Sequence, residues 1–212
     1  MKRLDKREED RLRTRAAILD ATEAVMREEG YAAVTSRRVA ERAGLKSQLI
    51  HYHFGSMDDL FQELFRRNDK LHFTMHLKAL ISSQPIETLW NIVNNDRGMD
   101  TVTEFVSAAR HRKVLKDELV ETRRRFRMLH TVTIENYFTK NGIDDPPLSP
   151  TALALLLASV TTLLIEDRGL GMNDGHDEII DFVEKLIAEL QSSEAGEARE
   201  NEGRRPERTP ET

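Results

Sequence analysis

The chain contains no cysteine, which excludes disulfides and thiolate metal sites and is compatible with a reducing compartment. It also lacks a membrane-length apolar run. The most apolar stretch, Ala152 to Ile165, is 14 residues long and includes Ser159, Thr161 and Thr162, whereas a span needs about 20. A buried helix is expected there, with no membrane as partner. The first residues, MKRLDKREEDRLRTR, have no apolar h-region, so no secretory signal and a cytoplasmic location are expected. No segment alternates polar and apolar side chains for long enough to suggest a strand. Nucleophile elbow, HExxH, phosphate loop and paired-carboxylate constellation are all missing, so no catalytic residue, cofactor or metal site is expected. The run GLGMNDG, Gly169 to Gly175, resembles a dinucleotide fingerprint only superficially. Its spacing is off by one and it follows a helical pattern where a strand is needed, so it is expected to be a loop.

What is present is charge, unevenly placed. The net charge of −5 over 212 residues is the sum of two unlike parts. Residues 1–55 hold 12 Lys+Arg against 9 Asp+Glu, a net of +3, and the remainder holds 20 against 28, a net of −8. The first part suits phosphate and the second does not. With 39% apolar residues the chain can bury a sizeable core in one or two domains.

Thr35 to Phe54, TSRRVAERAGLKSQLIHYHF, predicts two short helices joined by a turn. Thr35 is a good N-cap for a helix starting at Ser36. Val39, Ala40 and Ala43 form a narrow apolar stripe, and Gly44 supplies a residue free to adopt positive φ where that helix stops. Ala40 is small enough for a close helix crossing, as a helix-turn-helix requires. In the second helix Leu45, Ile50 and Phe54 anchor one face. Lys46, Ser47, Gln48, Leu49, His51 and Tyr52 are left facing outward, a mixture of amide, hydroxyl, cation, phenol and apolar tip that suits base edges and phosphates. Gln48 is expected to contact adenine and Leu49 a thymine methyl, with Arg37, Lys46, Tyr52 and, more weakly, His51 on phosphates. Thr35 and Ser36 complete the expected interface.

Over Ala16 to Phe65 the sequence resembles the TetR family of bacterial transcription regulators, on the run Ala43, Gly44, Leu45, then Lys46 to Leu49, then Ile50, His51, Tyr52, His53 and Phe54, together with Gly30, Tyr31, Val39 and Ala40. The family often has Ser at Lys46, Tyr at His51 and Lys at Met57, so two habitual phosphate contacts are missing here. The resemblance implies an all-α chain with an N-terminal three-helix DNA-binding domain at 1–56 and a helical effector-binding and dimerisation domain at 57–192. It also implies a homodimer that reads a palindromic operator in double-stranded DNA, most simply a repressor released by a small-molecule effector. A helical protein-interaction module that no longer reads DNA is the other reading left open.

Elsewhere the pattern predicts a first helix over about 9–29 behind a charged arm, then helices at about 57–80, 86–95, 99–110, 112–141, 150–170 and 176–192. Ser56 caps the first of these, and Asp58 and Asp59 suit its positive end; chain order makes that helix the expected lever between the two domains. The segments 150–170 and 176–192 carry more apolar surface than one small domain can cover, so a four-helix dimer interface is expected from them. Residues 193–212 are nearly devoid of apolar side chains, and a disordered tail is expected. Trp90, Phe105, Phe126, Leu129 and His130 are candidates for lining an effector cavity, equally readable as plain core. His72 and His76, four apart on one helical face, could hold a metal or a polar ligand group, although no third ligand is evident. Arg123, Arg124, Arg125 and Arg127 are expected to form a salt-bridged face with Glu118 and Glu121.

Overall fold

The computed structural model describes residues 6–95 and 99–203, and these hold nine α-helices and no strand. Lys2 and Arg3 of the expected arm, and Arg204, Arg205 and Arg208 of the expected tail, lie outside the described residues. The helices are α1 (Lys6–Glu29), α2 (Ser36–Ala43), α3 (Gln48–Phe54), α4 (Met57–Leu80), α5 (Pro85–Asn95), α6 (Met99–Ala109), α7 (Lys113–Lys140), α8 (Pro150–Leu170) and α9 (His176–Gly203), with one 3-10 turn at Tyr31–Ala33. Two ends differ from expectation. Helix α1 starts at Lys6, so Lys6 and Arg7 are helical, with Glu8 and Glu9 at the positive end of the dipole. Helix α9 continues to Gly203, through a segment rich in Glu. Polarity forbids that segment a core but not a helix, because extending a nucleated helix costs little.

The described chain divides into two compact units, residues 6–75 with 99–126, and residues 76–95 with 127–203. Helices α4 and α7 each contribute to both.

In the first unit Ile18, Val25 and Met26 of α1 pack with Val39 and Ala40 of α2, Ile50 and Phe54 of α3, and Leu60, Phe61 and Leu64 of α4. Ala40 is 2% exposed, which leaves no room for a longer side chain. The same core takes in Phe105 and Ala108 of α6 and Leu115 of α7. The end of α6 and the head of α7 are therefore built into the unit that holds the helix-turn-helix. Arginines tie its rim. Arg125 Nη2 donates to Asp69 Oδ1 at 2.6 Å while its guanidinium lies 4.6 Å above the Phe73 ring. Of the arginine face expected on α7, Arg124 and Glu121 are 3.9 Å apart. Glu118 accepts from Gln62 and Arg66 of α4 instead.

In the second unit Ile86, Leu89 and Trp90 of α5, Ile134, Tyr137 and Phe138 of α7, and the inner residues of α8 and α9 form a separate core. Ser149 caps α8, accepting from the Ala152 amide at 3.2 Å, with Pro150 in the first turn. By length and composition α8 could cross a membrane. Leu153, Ala154, Leu157, Val160, Thr161 and Leu164 are buried along one side, while Leu155, Leu163 and Leu170 stand 40%, 55% and 76% exposed on the other. One face of α8 is thus buried within the chain and the opposite face is exposed. The GLGMNDG segment is the α8–α9 connection, with Gly171 at φ 76° ending α8. His76 meets a residue of another helix. Its Nδ1 lies 2.8 Å from Nε2 of His130 on α7, with the rings stacked at 4.9 Å. No group of three or more metal-ligating side chains occurs among the described residues.

Candidate nucleic-acid interface

The interface is assembled by local chemistry. Thr35 Oγ1 accepts the Arg38 amide at 3.2 Å and starts α2. Gly44 stops it in the left-handed region at φ 68°, and the Leu45 amide returns to the Ala40 carbonyl at 2.8 Å. Helix α3 then begins at Gln48. Ile50 and Phe54 are buried at 0% and 6% exposure, one helical turn apart, and that spacing turns the remaining face outward.

Lys46, Ser47, Gln48, His51 and Tyr52 are exposed, Tyr52 at 75%. Leu49 and Ser36 are half-buried, while Thr35 and Arg37 are exposed. All nine expected interface residues therefore occur on the α2–turn–α3 segment, seven of them exposed. Tyr52 is held edge-on by His53, centroids 5.1 Å apart. His51 Nδ1 lies 3.3 Å from the Gly55 carbonyl, so part of its polar capacity is used within the fold.

Two supports escape local sequence reading. The Arg15 guanidinium donates to the His53 carbonyl and to Glu63 while lying 4.3 Å above the Phe54 ring, joining α1 to the last turn of α3 and to α4. Arg38 donates from Nε and Nη2 to Glu29 at 2.9 and 2.8 Å, and Arg42 donates to Glu28 at 2.6 Å. Those arginines hold the carboxyls of Glu29 and Glu28 below the usual range. They are spent on α1, which leaves Arg37 as the arginine of α2 turned to solvent.

Beside α3 a groove of about 540 Å³ is lined by Arg7, Glu8, Asp10, Arg11 and Thr14 of α1 with Tyr52 and His53 of α3. Burial, then the nearby charges of Arg15 and Arg11, keep the His53 imidazole below its ordinary pKa.

The five candidates for an effector lining are divided between the two units. Trp90, Leu129 and His130 belong to the second unit, and Phe105 and Phe126 to the first. Phe105 packs edge-on to Phe65 at 5.1 Å, and Phe126 edge-on to Phe73 at 5.6 Å. Trp90 is 1% exposed, and its indole N–H is buried with no hydrogen-bond partner among the described residues. Burial pushes His130 down to about 4.

Residues 18–64 match the family of bacterial regulatory proteins of the tetR type. A TetR transcription regulator from Haloarcula marismortui ATCC 43049 is similar in structure, with a TM-score of 0.64 at 16% identity over 88% of this chain and 95% of that one. A transcriptional regulator of the TerR/AcrR family from Aquifex aeolicus VF5 gives 0.62 at 18% identity over 84% and 98%. A candidate transcriptional regulator from Saccharomonospora viridis in complex with choline gives 0.67 at 19% identity over 84% and 93%. No match is found among curated proteins. Residues 18–64 thus match the tetR family of bacterial regulatory proteins, and the chain shares the all-helical fold of those structures.

Proposed function

We propose that the protein is a ligand-responsive, DNA-binding transcription regulator, most simply a repressor, acting as a homodimer on a palindromic operator in the cytoplasm. The observation that carries this reading is the outward face of α3, where Gln48, Tyr52 and the flanking Lys46 and Ser47 are exposed while Ile50 and Phe54 hold the helix down. A Gln amide can pair with adenine N6 and N7, and Leu49 reaches toward a thymine methyl. Lys46, Arg37 and Tyr52 suit phosphates, and the groove beside α3 adds Arg7 and Arg11 to that set.

One α3 covers few base pairs. A two-fold pair reads two half-sites about 34 Å apart or a multiple of it. The exposed Leu155, Leu163 and Leu170 of α8, with Phe182 of α9 at 55% exposure, support a dimer through 150–170 and 176–192. The choline complex of the S. viridis neighbour supports a small-molecule effector for this chain, acting through its helical second part. Such an effector shifts the dimer only by binding its two geometries with different affinity. Trp90 is the only tryptophan, so changes in its emission give a direct screen.

The test is selection of duplexes from a random library, followed by titration of the enriched site. Gln48→Ala is expected to relax preference at one position per half-site, by about 1–3 kcal/mol. Lys46→Ala is expected to weaken all sequences together and to flatten the salt slope by about 0.9. Equal loss on selected and scrambled DNA for Gln48→Ala removes the base-reading assignment, and Phe182→Glu remaining dimeric in sedimentation removes the proposed interface.

A further inference from the structure

Arg112 lies far along the chain from the helix-turn-helix, in the turn between α6 and α7, yet its side chain serves the DNA-reading end of the first unit. Its Nε donates to the Tyr31 hydroxyl at 2.8 Å, and Nη1 donates to Asp58. The guanidinium lies 4.6 Å above the Phe61 ring and 5.7 Å from the Tyr31 ring centroid. Glu104 of α6 completes the arrangement by accepting the Tyr31 amide at 2.6 Å, and His111 stacks on Tyr31 at 6.4 Å. One cation thus binds the turn that follows α1 and the first turn of α4 to the α6–α7 corner.

Asp58 lies four positions beyond Phe54, the last residue of α3, across Gly55 and the Ser56 cap. That cap is closed reciprocally, the Ser56 hydroxyl donating to Asp59 at 2.6 Å and accepting the Asp59 amide at 3.1 Å. So short and braced a connection passes a displacement of Asp58 directly to α3. Nonpolar packing of Phe105, Ala108 and Leu115 in the same core keeps the corner in place but does not direct it, since dispersion contacts are non-directional and a planar guanidinium is not.

We propose that Arg112 is a positioning residue for operator recognition, one that fixes the orientation of α3 against the α6–α7 corner and so sets how strictly half-site spacing is selected. This rests on the two-fold reading given above. Moving one half-site by a base pair displaces it about 3.4 Å along the duplex and turns it by on the order of 35° about the axis. A firmly held pair of reading helices rejects that change, and a loosened pair tolerates it.

The experiment compares wild type, Arg112→Met, Arg112→Lys and Tyr31→Phe on the library-selected duplex and on versions with the half-sites one base pair closer or farther apart. Wild type is expected to lose about tenfold in affinity for each displaced site, Arg112→Met about threefold or less, and the other two intermediate amounts. Half-site sequence preference and binding to scrambled DNA should stay at wild-type values, which a merely structural loss would not allow. Tyr31→Phe removes a single oxygen and keeps the test open should Arg112→Met fold poorly. Wild-type spacing discrimination in both variants overturns the inference, as does parallel loss on selected and scrambled DNA. If wild type itself selects no two-fold site, the regulator reading has failed instead, and this inference falls with it.

Discussion

The two units are held together by different chemistry. Around the helix-turn-helix the helices are short, α2 and α3 spanning only Ser36–Ala43 and Gln48–Phe54. Neither has enough apolar surface to fix its own orientation, and arginines make up the difference: Arg15, Arg38, Arg42, Arg67, Arg112 and Arg125 each bridge two helices or a helix and a turn. The second unit is built from long segments whose apolar faces pack on one another. Among its described residues His176 and Asp167 meet at 3.2 Å at the α8–α9 connection, Thr161 donates within its core to the Leu157 carbonyl at 2.8 Å, and His76 pairs with His130. Burying a large aliphatic or aromatic side chain contributes about 1.5–3 kcal/mol, whereas an exposed ion pair contributes about 1 kcal/mol or less. One unit is therefore organised for orientation and the other for bulk cohesion, and substitutions should affect them differently.

The largest effect is expected where cohesion matters most. Trp90→Ala, at a position 1% exposed, should cost about 3–5 kcal/mol in urea unfolding followed by circular dichroism; a cost near that of a surface change would mean the second core is loosely packed. Next comes pH. Burial keeps His130 at about 4, below the ordinary value near 6.5, so the folded state binds fewer protons than the unfolded one. Stability should be complete above the ordinary imidazole range and fall as pH drops from about 6.5 to about 4, by on the order of 3 kcal/mol at most. His130→Gln should flatten that dependence in thermal melts at pH 7, 6 and 5, and an unchanged slope would assign the proton uptake elsewhere.

In the first unit the expected changes are smaller. Arg15→Met removes the charge-assisted bond to the His53 carbonyl and should cost about 1.5 kcal/mol, with a larger loss of DNA affinity than of stability; the reverse order would make Arg15 a plain structural residue. Thr35→Ala removes the α2 cap and should cost about 1 kcal/mol in the same unfolding assay. Glu29→Gln, at the exposed rim, should leave the melting midpoint within measurement error, and a clear drop would show that rim pairs act together as a network.

What the sequence disclosed follows the range of the interactions involved. Thr35, Gly44, Ile50 and Phe54 act within a few residues of themselves, so cap, turn and buried face of the reading segment were all readable in advance. Ser149 and Pro150 announced the start of α8 in the same way. Partners chosen across the chain were not readable. Nothing local distinguishes Arg15 or Arg112 from a solvated arginine, and His76 pairs with His130 on α7, 54 positions away. Phe105 and Phe126 have the composition of a cavity lining as readily as of core; only the fold sets them in a different unit from Trp90. The end of α9 lies beyond what burial patterns can locate, since lack of apolar residues argues against a core and not against a helix, and α9 continues to Gly203.

The buried and outward faces of α3 have a consequence for how such a protein changes over generations. Ile50, Phe54 and Ala40 carry the packing, whereas Lys46, Gln48 and Tyr52 project from it, so the two groups share no side chain. On the proposed function, the outward set can be exchanged and the DNA target changed without first acquiring a compensating stabiliser.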